Sequence, residues 1–276
     1  MNRLPAYIMI TRPGNVIIAM ASVMIAVSLT GRFYPVMHIV LAVLSTGLIT
    51  AGANIINDYY DIETDKINRP MRPLPSGKIK RIQALIFFYV VYSIAFLLAL
   101  LITIPMFLIA FIVGFLLFIY SYRLKRTVLW GNLVVSLSTA LAFIYGGLAV
   151  GVVSAVIYPA IFAFLLHFGR EIIKDMEDVE GDQRTGAKTL AVVYGYQSGY
   201  ILSVIIFVIL IILMLIPYIF RVYGYLYLFV IATGIYPVLL YIIIQLRKKP
   251  KKAQLGKMST LLKVEMVIGL LAIYLG

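Results

Sequence analysis

Residues 41–69 read LAVLSTGLITAGANIINDYYDIETDKINR, an apolar run that carries no charge until Asp58, then takes on Asp61, Glu63 and Asp65 and turns basic at Lys66 and Arg69. An uninterrupted apolar segment of this kind is sized to the hydrocarbon core of a bilayer, which takes about 17–25 helical residues. The sudden acid marks the point where the span leaves lipid, because carboxylates are costly at membrane depth. Composition agrees: 63% of the residues are hydrophobic and 13% charged, with a mean hydropathy of +1.02. Those values describe a polytopic helical membrane protein and exclude a soluble domain.

Read outward from this stretch, the chain contains nine apolar runs, at roughly 14–30, 36–59, 83–103, 105–121, 129–150, 155–173, 198–219, 223–245 and 259–276. The expectation is an all-α integral membrane protein of nine transmembrane helices, organised as a single domain over residues 1–276. Arg3 and Arg12 precede the first run without a small-residue cleavage site, so it reads as a retained helix and not a signal peptide. Zero cysteines exclude disulfides, thiolate chemistry and iron–sulfur clusters. Cations crowd into Lys66–Arg81, Arg123–Arg126, Arg170–Lys188 and Arg247–Lys263, whereas Arg32 and Arg221 alone occupy the opposite connections. The positive-inside rule then predicts a cell-membrane protein with the N-terminus and the basic loops in the cytoplasm and the C-terminus outside. The net charge of +13 is accounted for as this topology signal, with some attraction for anionic membrane lipids, so nucleic acid is not an expected partner.

Ten of the eleven acidic residues fall in two clusters, Asp58 to Asp65 and Glu171 to Asp182, and Glu265 stands alone. Asn57, Asp61 and Asp65 are spaced i, i+4, i+8, and Asn54 and Asp58 form an adjoining i, i+4 row. If the helix continues, each row lies on one face with neighbours about 5–6 Å apart. Asp175, Asp178 and Asp182 are spaced i, i+3, i+7, again one face. Like charges at this spacing cost a few tenths of a kcal/mol per pair, so a cationic partner is required. Oxygen donors without His or Cys favour Mg²⁺, which takes one or two carboxylates and fills its octahedron with water and phosphate oxygens. The competing reading is two solvated helix ends neutralised by nearby Lys and Arg. Basic groups stand where a diphosphate would need them: Lys66, Arg69 and Arg72 in a loop with three prolines, Lys125 in Tyr120–Thr127, and Lys174 and Lys188 beside the second cluster.

Over essentially its whole length the chain resembles the UbiA superfamily of intramembrane prenyltransferases. Asn57, Asp61 and Asp65 match the superfamily's first aspartate-rich motif, with Asp58 beside the Asn, and Asn68-Arg69-Pro-Met-Arg72-Pro matches its continuation. Asp175, Asp178 and Asp182, preceded by Arg170-Glu171-Ile and followed by Gly186-Ala-Lys188-Thr-Leu190, match the second motif. The segment through Lys125 and the early Arg12-Pro-x-Asn15 look like further family elements. The second-motif run is most similar to archaeal digeranylgeranylglyceryl phosphate synthases, and it shares a Glu-Gly-Asp ending with the chlorophyll-synthase and homogentisate branch.

The resemblance implies nine helices around a central apolar cavity, with Mg²⁺ on the two motifs holding an isoprenyl diphosphate as two halves of one site. It assigns Asn57, Asp61 and Asp65 to one Mg²⁺, and Asp178 and Asp182, with Asp175 as an alternative ligand, to another. Arg72, Lys125 and Lys188, with Arg69 and Lys66, would grip the diphosphate, and Arg12 the phosphate of a lipid acceptor. The expected substrates are geranylgeranyl diphosphate and geranylgeranylglyceryl phosphate, with Asp65 or Asp175 taking the hydroxyl proton. An aromatic quinone precursor or a chlorophyllide-like molecule is the alternative acceptor. A different class, an ion-coupled transporter, would bury its carboxylates near the midplane on broken helices. Aromatic and small residues at Phe115–Tyr122 and Tyr145–Gly147 are candidates either for lining a prenyl tunnel or for ordinary packing. His38 and His167 are isolated, and His167 is expected to be a hydrogen-bonded interior residue.

Overall fold

The computed structural model describes residues 4–276, apart from the side chains of Ile67 and Asn68; Arg3 lies outside the described residues. The helices are α1 (Leu4–Ile10), α2 (Pro13–Leu29), α3 (Val36–Tyr60), α4 (Ile62–Asn68), α5 (Arg81–Leu100), α6 (Ile104–Tyr122), α7 (Trp130–Ala149), α8 (Ile157–Arg184), α9 (Leu190–Ile219), α10 (Tyr225–Val230), α11 (Tyr236–Arg247) and α12 (Lys252–Leu275). No strand occurs among the described residues. Eight helical segments are long and apolar enough to cross a membrane, one of them running from α10 through the π turn Ile231–Ile235 into α11. A ninth is formed if α1 and α2, bent by 54° at their junction, count as one span. The nine expected spans therefore each find a helix, with differences at the ends.

The largest difference is α8, expected to end near residue 173 and found to continue through the whole second acidic cluster to Arg184. Its 28 residues rise about 42 Å at 1.5 Å each, well over the ~30 Å hydrocarbon core, so the helix can expose its acidic end and still span. Hydropathy alone loses sight of a helix where it leaves lipid. In α9 the backbone is interrupted at Gly195 (φ 78°, ψ 173°), a left-handed position that suits glycine, and the uninterrupted helix beyond it agrees with the expected start near 198.

The chain packs into two compact units, one of residues 4–124 and 141–156, the other of residues 125–140 and 157–276. In the first, α3 is the centre, touching α1, α2, α5 and α6. Close approach depends on small residues, as expected where helices meet without a hydrophobic driving force. A Cβ at Gly52 would lie 2.2 Å from ring atoms of Tyr92, and one at Gly146 would lie 2.7 Å from the Val23 carbonyl oxygen. Tyr145 shares a hydrogen bond of 3.0 Å with Ser45. The Tyr145–Gly147 stretch is thus used for packing within this unit, in line with the blander of its two readings. Phe118 likewise meets the rings of Tyr60 and Phe88.

In the second unit α8 packs against α9 and α12. Gly169 lies under the Phe207 ring, where a Cβ would come within 2.4 Å, and Gly199 lies under Met176. The buried Arg170 donates its Nε to the Ser259 carbonyl at 3.2 Å and its Nη1 to Glu171 at 2.6 Å, tying α8 to α12. Lys174 also reaches Glu171, at 3.4 Å, so Glu171 holds both cations. His167 is an interior residue, and its Nδ1 finds no hydrogen-bond partner among the described residues.

Candidate active site

The first acidic cluster is not one continuous helix. α3 ends at Tyr60, Asp61 takes a non-helical conformation (φ −95°, ψ 5°), and α4 starts at Ile62. The backbone bonds Asp61 N–H to Asn57 O (3.0 Å) and Asp65 N–H to Asp61 O (2.7 Å) nonetheless persist across the joint. A single-face i, i+4, i+8 row is therefore interrupted at its middle member. Asp and Glu are favoured here because Glu63 and Asp65 sit in the first turn of α4, at the positive end of its dipole. The Asp61 side chain does not cap α4; its Oδ2 accepts instead from the Asn57 amide at 3.0 Å.

Asp58 and Asp65 are both buried, and both are engaged by arginine. Arg72 Nη1 donates to Asp58 Oδ1 (3.1 Å) and to Asp65 Oδ2 (2.6 Å), and Arg12 Nη2 donates to the same Asp58 oxygen. Burial pushes the Asp65 carboxyl above its ordinary value, against the pull of Arg72, with the neighbouring Asp58 and Asp61 adding to the rise. Arg12 occupies the joint between α1 and α2 in a left-handed conformation (φ 52°, ψ 72°). The same joint is held by the Asn54 amide on the Thr11 carbonyl (2.8 Å), and Asn15 faces Asn54 at 3.4 Å. The Arg12-Pro-x-Asn15 element and the first motif thus meet in space. Lys66 is exposed and paired with Glu63 at 2.9 Å, and Arg69 is exposed at the end of α4.

The second cluster is continuous helix, so Asp175, Asp178 and Asp182 do share a face of α8 as their spacing predicts. Asp175 Oδ2 accepts from the amide of Asn132 on α7 at 2.8 Å. Asp182 Oδ2 accepts from the Thr189 hydroxyl at 3.2 Å, and its carbonyl accepts from Ala187 N–H at 2.9 Å around a turn made at Gly186 (φ 70°). The Lys188 N–H donates to the Arg126 carbonyl at 2.8 Å, so the turn Leu124–Arg126 that carries Lys125 is stitched to the segment that carries Lys188. Glu180 is exposed, and Glu177 lies against Gly256 of α12.

Asn132 is not singled out by the sequence, and Thr189, though within the Gly186–Leu190 run of the second motif, is given no role there. Each is an ordinary polar residue beside an apolar run, and only the fold shows that it holds an aspartate. Among the described residues no group of three or more His, Cys, Asp or Glu side chains is gathered to hold a metal ion. Mg²⁺ does not need such a group, since one or two carboxylates with water and phosphate oxygens suffice. The donors present are hard oxygens, and the close Asn57 and Asp61 pair and the Asp178 and Asp182 pair one helical turn apart fit that demand. Asn57 would bind through its amide oxygen, because its nitrogen already serves Asp61.

The described residues thus define a polytopic helical membrane protein with two carboxylate clusters at helix ends, each beside cations. A model of the UbiA prenyltransferase family matches residues 15–263, and the chain belongs to that family. It is 35% identical over 272 residues to the digeranylgeranylglyceryl phosphate synthase of Methanosphaera stadtmanae, covering 98% of each chain. It is 37% identical over 278 residues to that of Methanocaldococcus jannaschii, covering 100% of this chain and 97% of the relative. A solved structure of digeranylgeranylglyceryl phosphate synthase matches with a TM-score of 0.81 at 33% identity, over 100% of this chain and 99% of the other. A UbiA homolog from Archaeoglobus fulgidus, bound to GPP and Mg²⁺, has the same fold, with a TM-score of 0.71 at 23% identity over 97% and 99% of the two chains.

Proposed function

We propose that this chain transfers a geranylgeranyl group from geranylgeranyl diphosphate to the free hydroxyl of geranylgeranylglyceryl phosphate, forming the second ether bond of an archaeal membrane lipid. The observation that carries the reading is full-length similarity, at 35–37% identity, to relatives bearing that synthase name. The carboxylates and cations of the two motifs support it.

In the reaction the bond between the allylic carbon and the diphosphate oxygen breaks, its electron pair leaves with the diphosphate, and the acceptor hydroxyl oxygen bonds to that carbon. Bound Mg²⁺ supplies Lewis-acid neutralisation of the diphosphate oxygens. Asn57, Asp61 and Asp65 are the proposed ligands of one ion, and Asp178 and Asp182, with Asp175, of another. Arg72, Lys125 and Lys188, with Arg69 and Lys66, donate to phosphate oxygens as charge grows on them. Arg12 adds a guanidinium to the diphosphate or to the acceptor phosphate. The hydroxyl is a poor nucleophile until the allylic cation forms, so weak base assistance is enough. Asp65, whose proton affinity is raised by burial, or Asp175 accepts that proton.

Purified protein should join radiolabelled geranylgeranyl to geranylgeranylglyceryl phosphate with Mg²⁺ and fail to do so in EDTA. Asp61→Ala and Asp178→Ala should each lower turnover by about two orders of magnitude or more. Transfer that survives EDTA and both substitutions would sink the metal assignment. Activity on an aromatic acceptor with none on the glyceryl ether would move the protein to the quinone branch.

A further inference from the structure

We infer that Asp58 is a positioning residue for the diphosphate cations and not a metal ligand; this rests on the prenyl-transfer reading above. One carboxylate oxygen, Asp58 Oδ1, accepts from Nη2 of Arg12 and from Nη1 of Arg72. The two guanidiniums come from opposite sides in sequence, one before α2 and one after α4, yet they converge on that atom. Asp58 is 2% exposed, while the Arg12 and Arg72 side chains keep 29% and 16% exposure. Each guanidinium is therefore held through one terminal nitrogen while its side chain keeps some exposure. An arginine carries five N–H donors, so the use of one nitrogen, Nη2 of Arg12 on Asp58 and Nη1 of Arg72 on Asp58 and Asp65, leaves further donors in each fork for phosphate oxygens.

The observation against ligation by Asp58 is that its Oδ1 is already shared by charge-assisted hydrogen bonds from two arginines, whereas Asp65 Oδ2 accepts from Arg72 alone. Asn57 and Asp61 next to it are half-buried and better placed for a hydrated ion. The backbone gives the positive case. Arg12 adopts a left-handed conformation at a 54° joint, a rare state for a residue with a side chain, and the joint is pinned to α3 by Asn54 and Asp58, one helical turn apart. Without the Asp58 charge the two guanidiniums would repel each other across a partly buried gap, and the joint would lose one of its two attachments.

The test uses the full-length protein in detergent and reads protection from thermal unfolding by geranylgeranyl diphosphate, which needs no acceptor and so stands apart from the transfer assay. Asp58→Asn keeps an oxygen but loses the charge. It should weaken the apparent diphosphate affinity by about tenfold or more, the scale of a lost charged hydrogen bond. The Mg²⁺ concentration for half-maximal protection should stay within about twofold of wild type, whereas Asp61→Asn should raise it by about tenfold. If Asp58→Asn proves too unstable, Arg12→Gln should give the same signature from the other end of the contact. Adding Arg12→Gln to Asp58→Asn should cost less than the two separate losses multiplied, because the repulsion goes with it. The inference is overturned by a Mg²⁺ shift in Asp58→Asn as large as that in Asp61→Asn, or by unchanged diphosphate affinity in a folded variant. A wild-type protein that binds the diphosphate but transfers nothing to the glyceryl ether would count against the parent reading alone.

Discussion

Asn132 sits at the start of α7, 6% exposed, and gives its amide to Asp175 at 2.8 Å. Removing one partner of a hydrogen bond to a carboxylate away from water costs more than the bond contributes, because the remaining group keeps its desolvation penalty. Asn132→Leu should therefore lower stability by about 1–3 kcal/mol, read as a lower thermal midpoint in detergent, and should depress transfer as Asp175 loses its fixed orientation. A variant with wild-type midpoint and turnover would show that the contact is idle. Thr189 poses the same question more mildly, since its hydroxyl at 3.2 Å from Asp182 is lost without leaving a deeply buried charge. In both places the aspartate was legible from sequence and the holding contact was not, although Thr189 falls within the quoted motif run. A lone amide or hydroxyl has no periodicity, and its role depends on which helix the fold brings opposite.

At the scale of elements, the contrast between the two motifs is the informative one. The spacings i, i+4, i+8 and i, i+3, i+7 look equivalent on paper, yet α8 runs unbroken through the second while the first is split at Asp61. Sequence could not separate these cases because backbone bonds between residues four apart survive the joint, so the spacing is compatible with both. The apolar packing was more readable in kind than in place: small residues in apolar runs imply close helix contacts, but not which ring each one meets. Gly52 meets Tyr92, and a methyl there would have to fit where ring atoms lie 2.2 Å away. Gly52→Ala should cost about 1–3 kcal/mol through overpacking. Gly14→Ala, also in a helix but with nothing within 4 Å, should be neutral or stabilising by up to about 1 kcal/mol. Equal effects at the two positions, measured by thermal unfolding, would mean that helix propensity and not the Tyr92 contact governs both.

For the whole molecule, the described residues give eight spans, or nine with the bent α1 and α2 pair counted as one, and leave their direction to an argument about charge. With nine crossings, the positive-inside rule predicts Lys78 and Lys249 on the side of the N-terminus and the Phe33 connection opposite. The absence of cysteine makes this directly measurable, since any single introduced thiol is the only one in the chain. Phe33 and Lys78 are both exposed in the structure, so a cysteine at either is open to reagent. In intact cells a membrane-impermeant maleimide should label Phe33→Cys and spare Lys78→Cys until the membrane is opened. The reverse pattern would turn the protein over, and labelling of both in intact cells would remove a span between them. The outcome bears on function as well as topology. Lys78 closes the loop that begins with Lys66, Arg69 and Arg72, so under the proposed function the side on which it labels is the side from which the diphosphate arrives.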